Sequence, residues 1–248
     1  MSSDLLLAAV AGLVGLLIGT VGVGGVLMVA FLALFGGLTI HEAAGTSLFT
    51  FAFTGLLGTW LYQRRGTINW RVAGPVCAGA MLFGYAGAVA AGRMDPRPLT
   101  ILIALIIIFA GTYVFLPQRA VPRARAGHGW REQLLLTTVG AGSGFGSGFS
   151  GAGGPLFSVP LMLILRYVPL TAVATSQALQ IVAATSGSIA NYRLDYIDFR
   201  VATIITVFEL IGVMAGVKLA HAASATALRR LAAAFCIVSG GFLLARAL

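Results

Sequence analysis

Two short glycine-rich runs hold the groups in this chain best suited to binding a small anion: Gly19-Thr20-Val21-Gly22-Val23-Gly24-Gly25 and Gly146-Ser147-Gly148-Phe149-Ser150-Gly151-Ala152-Gly153-Gly154-Pro155. Gly22, Gly24, Gly25, Gly151, Gly153 and Gly154 are spaced too closely to share one face of a helix. They are expected to mark broken helices with bare backbone amides. Proline is favoured in the first turn of a helix, where its missing donor is not needed, so Pro155 marks a new start. The free amides and positive dipole end of a helix beginning there favour an anion. Gly140, Gly144 and Gly148 have instead the four-residue spacing of close helix packing, as do Gly15 with Gly19 and Gly212 with Gly216.

Neutral donors follow each run: Thr46 and Ser47 after the first, Thr175, Ser176 and Gln177 after the second. They can coordinate anion oxygens without a full charge in apolar surroundings, where charge is expensive. The same hydroxyls can simply bond a carbonyl of their own or a neighbouring helix, so both readings stand. Glu209 is the only acid well inside an apolar stretch, which makes it a candidate proton relay; the alternative is a hydrogen-bonded packing group. Glu42, next to His41, suits a helix N-terminus.

Other chemistries find little support. Cys77 and Cys236 lie in apolar runs with no Cys or His at ligand spacing, so no metal or cofactor is expected. His41, His128 and His221 fall near segment ends, away from any nucleophile. The run from Gly146 to Gly151 fits a dinucleotide fingerprint by letter, but no strand precedes it and no acid follows before Asp195.

The elements that must position these residues follow from composition. Of 248 residues 58% are hydrophobic and 9% charged, and the mean hydropathy is +0.97. Soluble enzymes and disordered chains are excluded, because neither covers itself with so little charge. Sixteen Lys and Arg against seven Asp and Glu give +9, but the cations sit at segment ends. There they orient a membrane protein and meet anionic lipid rather than form a nucleic-acid face. The start, Met1-Ser2-Ser3-Asp4, lacks the basic region of a cleaved signal peptide and is read as structure. The expected fold is an all-α integral membrane protein with about eight to ten helical segments, some broken or re-entrant. It forms a single membrane domain, residues 1–248, with a polar, helix-breaking linker at 117–132 between stretches 1–116 and 133–248.

Those stretches read as homologous repeats. A gapless shift of 129 positions lays Gly19 on Gly148, Thr46-Ser47 on Thr175-Ser176, Arg64 on Arg193 and Arg71 on Arg200, with 16 identities in the 55 columns from Gly19 to Ala73. Charge favours an inverted arrangement. If each glycine-broken stretch crosses an even number of times, 11 of the 16 cations lie inside, against 10 for single crossings. Both termini then face out and the linker faces the cytoplasm. Repeats with broken segments in matching positions are a construction of secondary transporters, whose site lies between them.

On Gly22-Val23-Gly24-Gly25 with Gly151-Ala152-Gly153-Gly154-Pro155-Leu156, and on Gly45-Thr46-Ser47-Leu48 with Ala174-Thr175-Ser176-Gln177, the chain resembles the TauE/SafE sulfite exporter family, the toluene-sulfonate uptake permease superfamily. The similarity covers nearly the whole chain. It implies a multi-pass protein of the bacterial inner membrane that carries sulfite, sulfonate or sulfoacetate as a secondary transporter, with the lipid bilayer and a small anion as partners and no nucleic acid. No ATP-binding motif occurs, so an ion gradient or the substrate's own gradient must drive active transport. Proton coupling is one form of this. The alternatives are an anion channel or facilitator and, further off, a membrane assembly factor or enzyme. The sequence does not set the oligomeric state.

Overall fold

The computed structural model describes residues 2–22, 24–115, 129–220 and 225–248, and every regular element among them is a helix. In the first half these are α1 (Ser2–Val21), α2 (Gly25–Leu34), α3 (Ile40–Arg64), α4 (Trp70–Gly92) and α5 (Pro96–Phe115). The second half has α6 (Trp130–Ser150), α7 (Pro155–Ile164), α8 (Pro169–Arg193), α9 (Phe199–Ala220) and α10 (Ala225–Ala247). Helices are what such apolar sequence allows, since backbone in lipid must satisfy its own hydrogen bonds. Of the expected linker, residues 117–128, His128 included, lie outside the described residues, as do Leu116, His221 and Val23; α6 begins at Trp130, within the expected linker.

The distribution of side chains is that of a membrane protein. Large apolar groups face outward, among them Leu82, Phe83, Phe109 and Phe242, with Leu82 76% exposed. Thr50, Thr54, Ser143, Ser147 and Gln180 are buried with many alanines. Small and polar residues bind helices to one another where lipid competes for large apolar ones. Helices α4 and α9 are long and apolar enough to cross a bilayer, at 23 and 22 residues.

Glycine contacts fix how the helices run. A side chain added at Gly15 would meet Glu209, one at Gly19 would meet Val213 and one at Gly216 would meet Leu16, so α1 and α9 lie parallel in close contact. In the same way Gly140 abuts Val76, Gly144 abuts Ala80 and Gly148 abuts Gly84, so α6 and α4 lie parallel. Helices α3 and α8 cross antiparallel, with Gly58 against Gln177 and Gly187 against Leu48, and α5 and α10 pack antiparallel. The glycine ladders act in packing, as their spacing predicts. This narrows the breaks: Gly19 to Val21 and Gly146 to Ser150 are helical, and among the described residues the irregular backbone is confined to Gly22 and Gly24 and to Gly151–Gly154.

Two ends of the bundle differ in charge. One carries Arg64, Arg65, Arg71, Arg131, Arg166 and Lys218, with Glu132 bonded to the Tyr167 hydroxyl at 2.7 Å. The other carries Arg93, Arg97, Arg193 and Arg200 together with Glu42, Asp95, Asp195 and Asp198. Glu42 completes a capping box with Thr39 at the start of α3, and the His41 ring bonds the Met94 carbonyl at 3.1 Å and stacks on Tyr196. The bundle is thus pinned at both ends while its middle is built from bare backbone.

Candidate functional site

The two breaks meet. Gly22 adopts φ +76° and a side chain there would touch Pro155 and Val159 of the other half; one at Gly25 would strike the Ala152 carbonyl and Phe51. Gly151 turns with φ +68° against the backbone of Ala44, and Gly153, at φ +83°, lies beside Phe51. Gly154 abuts Leu179 and Gln180. The junction therefore lies at the level of Phe51 and Gln180, the middle of α3 and α8, and all six glycines are buried.

Helices α2 and α7 both start at this junction. Their first amides have no acceptor within the helix, and neither N-cap, Gly24 or Gly154, supplies a side-chain hydrogen bond. Of the helices beginning at the bundle's ends, α3 is capped by Thr39, α4 by Asn69 and α9 by Asp198, whereas α6 and α8 start after Gly129 and Val168 without a side-chain cap. At the centre, two positive dipole ends converge without a cap from their own chain.

The donors chosen from sequence divide into two groups. Thr46 is engaged, its hydroxyl accepting the Asp198 amide at 3.0 Å in the loop before α9. Ser176 is also engaged, donating to the Ala172 carbonyl at 2.6 Å and taking the Ser158 hydroxyl at 2.7 Å. The hydroxyls of Ser47 and Thr175 are fully buried with no partner. Gln177 spans both groups. Its Nε2 donates to the Ile18 carbonyl in the last turn of α1 at 3.1 Å, while its Oε1 is buried and unbonded. A buried, unsatisfied polar atom costs roughly 1–3 kcal/mol, so these atoms mark places where the fold alone leaves polarity unmatched.

Sequence reasoning missed Gln180 and Ser158. Gln180 donates to the Phe51 carbonyl at 3.0 Å and the Thr54 hydroxyl at 2.8 Å, tying α8 to α3 beside the junction. It follows Gln177 by nearly one helical turn, and two amides so spaced in an apolar helix were a visible signal. Ser158 reaches back to the Gly154 carbonyl at 2.9 Å.

Glu209 stands apart, on α9 where it packs on Gly15 of α1. Its side chain is fully buried and neither carboxyl oxygen has a hydrogen-bond partner. The Thr50 hydroxyl of α3 lies beside it but donates to the Ser47 carbonyl at 2.9 Å. No charged residue occurs between Leu5 and Thr20 on α1, between Ala43 and Gln63 on α3, or elsewhere between Val201 and Val217 on α9.

Comparison with known proteins agrees with this architecture. A sequence profile described as sulfite exporter TauE/SafE matches residues 7–243. The chain is 27% identical over 222 residues to a probable membrane transporter protein, YdhB, of Bacillus subtilis, covering 86% of this chain and 89% of that one. It is 25% identical over 255 residues to the probable membrane transporter protein MJ0441 of Methanocaldococcus jannaschii, covering 96% and 94%. No solved structure matches the chain. With a profile spanning nearly all its length, this membrane protein belongs to the TauE/SafE sulfite exporter family of membrane transporters.

Proposed function

We propose that this protein is a secondary transporter of small sulfur-containing or organic anions, and that its substrate binds where the two glycine breaks meet. The observation that carries the reading is the convergence of the α2 and α7 N-termini, neither with a side-chain cap from its N-cap glycine, against Phe51 and Leu179, about one helical turn beyond the unbonded hydroxyls of Ser47 and Thr175. Dipole ends and neutral donors together attract a tetrahedral or trigonal oxyanion without a buried counter-charge. Sulfite and organic sulfonates have that shape, and the family's description names sulfite.

The same reading takes the halves as inverted repeats. It is supported by left-handed backbone recurring 129 positions apart, at Gly22 and Gly151, Gly37 and Arg166, and Gly66 and Asp195. It is also supported by helix direction, since α3 runs against its counterpart α8 and α5 against its counterpart α10. The cation-rich end that holds Arg64 and Arg71 is then cytoplasmic.

The experiment is counterflow of labelled sulfite, sulfonates and carboxylates in liposomes. Gly153→Ala adds a methyl in left-handed backbone beside Phe51, and Gly24→Ala adds one against Val14, Leu17 and Ile18 of α1 at the start of α2, and each is expected to lower affinity or turnover for the carried anion. Normal transport in both, with Ser47→Ala and Thr175→Ala also silent, would place the site elsewhere.

Glu209 is the coupling group in this reading, a carboxyl with no cation facing it that takes up and releases a proton as the helices move. Glu209→Gln keeps the shape and removes the titration. Uptake by the variant is expected to lose its pH dependence while substrate exchange persists, and an unchanged pH profile at normal protein level removes Glu209 from the mechanism.

A further inference from the structure

A groove of about 620 Å³ opens sideways between α3 and α8 on the half of the bundle nearer Arg193. One wall is a stripe on α3, Phe49, Ala52, Phe53 and Leu56; the other is Ile181, Thr185, Ile189 and Tyr192 on α8. Phe53, Leu56, Ile189 and Tyr192 are exposed, so the groove faces the surrounding lipid rather than the junction.

Its length matches a bilayer leaflet. Ile181 to Tyr192 is 12 residues of helix, roughly 16 Å from first to last at 1.5 Å per residue, against about 15 Å for half a hydrocarbon core. At the outer end of this apolar wall stands Arg193, which also lines the groove and whose exposed guanidinium donates to the Tyr85 hydroxyl at 3.3 Å. The inner end is Ile181, next to the Gln180 that ties α8 to the Phe51 carbonyl.

The matching positions of the first half show why a groove exists here. Trp60 stands 129 positions before Ile189, Trp70 before Phe199, Gln63 before Tyr192 and Arg64 before Arg193. Arg64 lies 4.1 Å over the Trp60 ring, and Trp70 donates its indole N–H to Gln63 at 2.9 Å. There the chain supplies its own bulk and its own partner for the arginine. Around Arg193, Ile189 and Phe199 replace the two indoles.

We propose that this groove holds one acyl chain of an anionic phospholipid from the Arg193-side leaflet, with the lipid phosphate on Arg193. An acyl chain fills the apolar walls over one leaflet's depth, and the phosphate pairs with the Arg193 cation, where the Arg64 cation stacks on Trp60 instead. Wedged beside α3 and α8, the lipid sets how closely these helices approach next to Gln180.

The test needs no transport measurement. The full chain is placed in vesicles of phosphatidylcholine carrying either phosphatidylglycerol or phosphatidylcholine with a photoreactive acyl chain, and labelled peptides are mapped by mass spectrometry. Phosphatidylglycerol is expected to label the segments Phe49–Leu56 and Ile181–Tyr192 in preference to phosphatidylcholine. Arg193→Gln, an exposed change that leaves the core intact, should lower that preference roughly fivefold, the effect of one basic residue at a charged bilayer surface. Ile189→Trp, which copies the first half, should abolish labelling of the groove with either lipid. Equal labelling by both lipids would overturn the preference for an anionic lipid, and preference retained in Arg193→Gln would overturn the contact with Arg193. Undiminished labelling in Ile189→Trp would overturn the groove.

Discussion

The two breaks share a turn and little else. Gly22 and Gly151 both take left-handed backbone, but beyond them the first break is apolar and the second polar. Ser150 of the second holds the Ala152 amide at 3.3 Å and Ser158 holds the Gly154 carbonyl; 129 positions earlier stand Val21 and Val29. The same holds of the helices around them, where Gln177, Gln180 and Glu209 correspond to Leu48, Phe51 and Ala80. A similar backbone path thus carries polar chemistry on one side and packing on the other. Phe51 packs against both breaks, at Gly25 and Gly153, and accepts the Gln180 bond through its carbonyl. A shared path leaves each half free to specialise.

Substituting the shared turn should separate the halves most strongly. Gly151→Ala forces a side chain into left-handed backbone and against the immovable Ala44 main chain; strain plus overpacking should destabilise by about 2–5 kcal/mol. Gly22→Ala meets Cβ of the Pro155 ring at 3.0 Å and the Val159 side chain at 3.3 Å, milder contacts than the main chain at Gly151, so a loss of about 1–3 kcal/mol is expected, mostly from backbone strain. Thermal unfolding in detergent, with the same detergent for both, measures the difference. Equal losses would mean that the turn, not its surroundings, sets the requirement for glycine.

The hydroxyl pairs allow a finer test. Thr46 and Thr175 occupy matching positions, yet only Thr46 has a partner, the Asp198 amide. Thr46→Val should lower stability by about 1 kcal/mol, more if the Asp198 amide is left unmatched. Thr175→Val removes an unbonded hydroxyl while keeping shape, so stability should hold or rise slightly. If Thr175 serves the anion, the variant should bind it less tightly while folding as well. Parallel measurement of melting temperature and anion affinity checks both, and a stability loss in Thr175→Val would mean that the hydroxyl already has a structural role.

Much of this was legible in the sequence, for physical reasons. Glycine spacing separated packing ladders from breaks because a helix repeats its faces and close doublets do not. The eight to ten helical segments expected from composition became ten described helices, since backbone in lipid must satisfy its own hydrogen bonds. Less visible was where each break begins, because Gly146 and Gly148 serve close packing on Phe157 and Gly84 and remain helical. Side-chain fate was hidden too: nothing in Thr46-Ser47 and Thr175-Ser176 reveals that the loop before α9 delivers an amide to one threonine and leaves the other bare. Gln180 was missed for the opposite reason, since its glutamine spacing was plain but Phe51, 129 positions earlier, is apolar and lent it no support.

The smallest effect concerns the turns at the bundle's ends. Left-handed backbone recurs at Gly37 and Arg166, and at Gly66 and Asp195, so the first half has glycine where the second has a side chain. An ordinary side chain in this region is disfavoured by roughly 1–2 kcal/mol, and aspartate by less because its carboxylate can bond locally. Arg166→Gly should therefore stabilise the protein by about 1 kcal/mol, less what glycine loses through greater freedom in the unfolded chain. Asp195→Gly should give less, a few tenths of a kcal/mol. The order is the test. A fall in melting temperature for Arg166→Gly would mean that its side chain contributes more than the turn costs, and that the second half has specialised at its ends as well as at its centre.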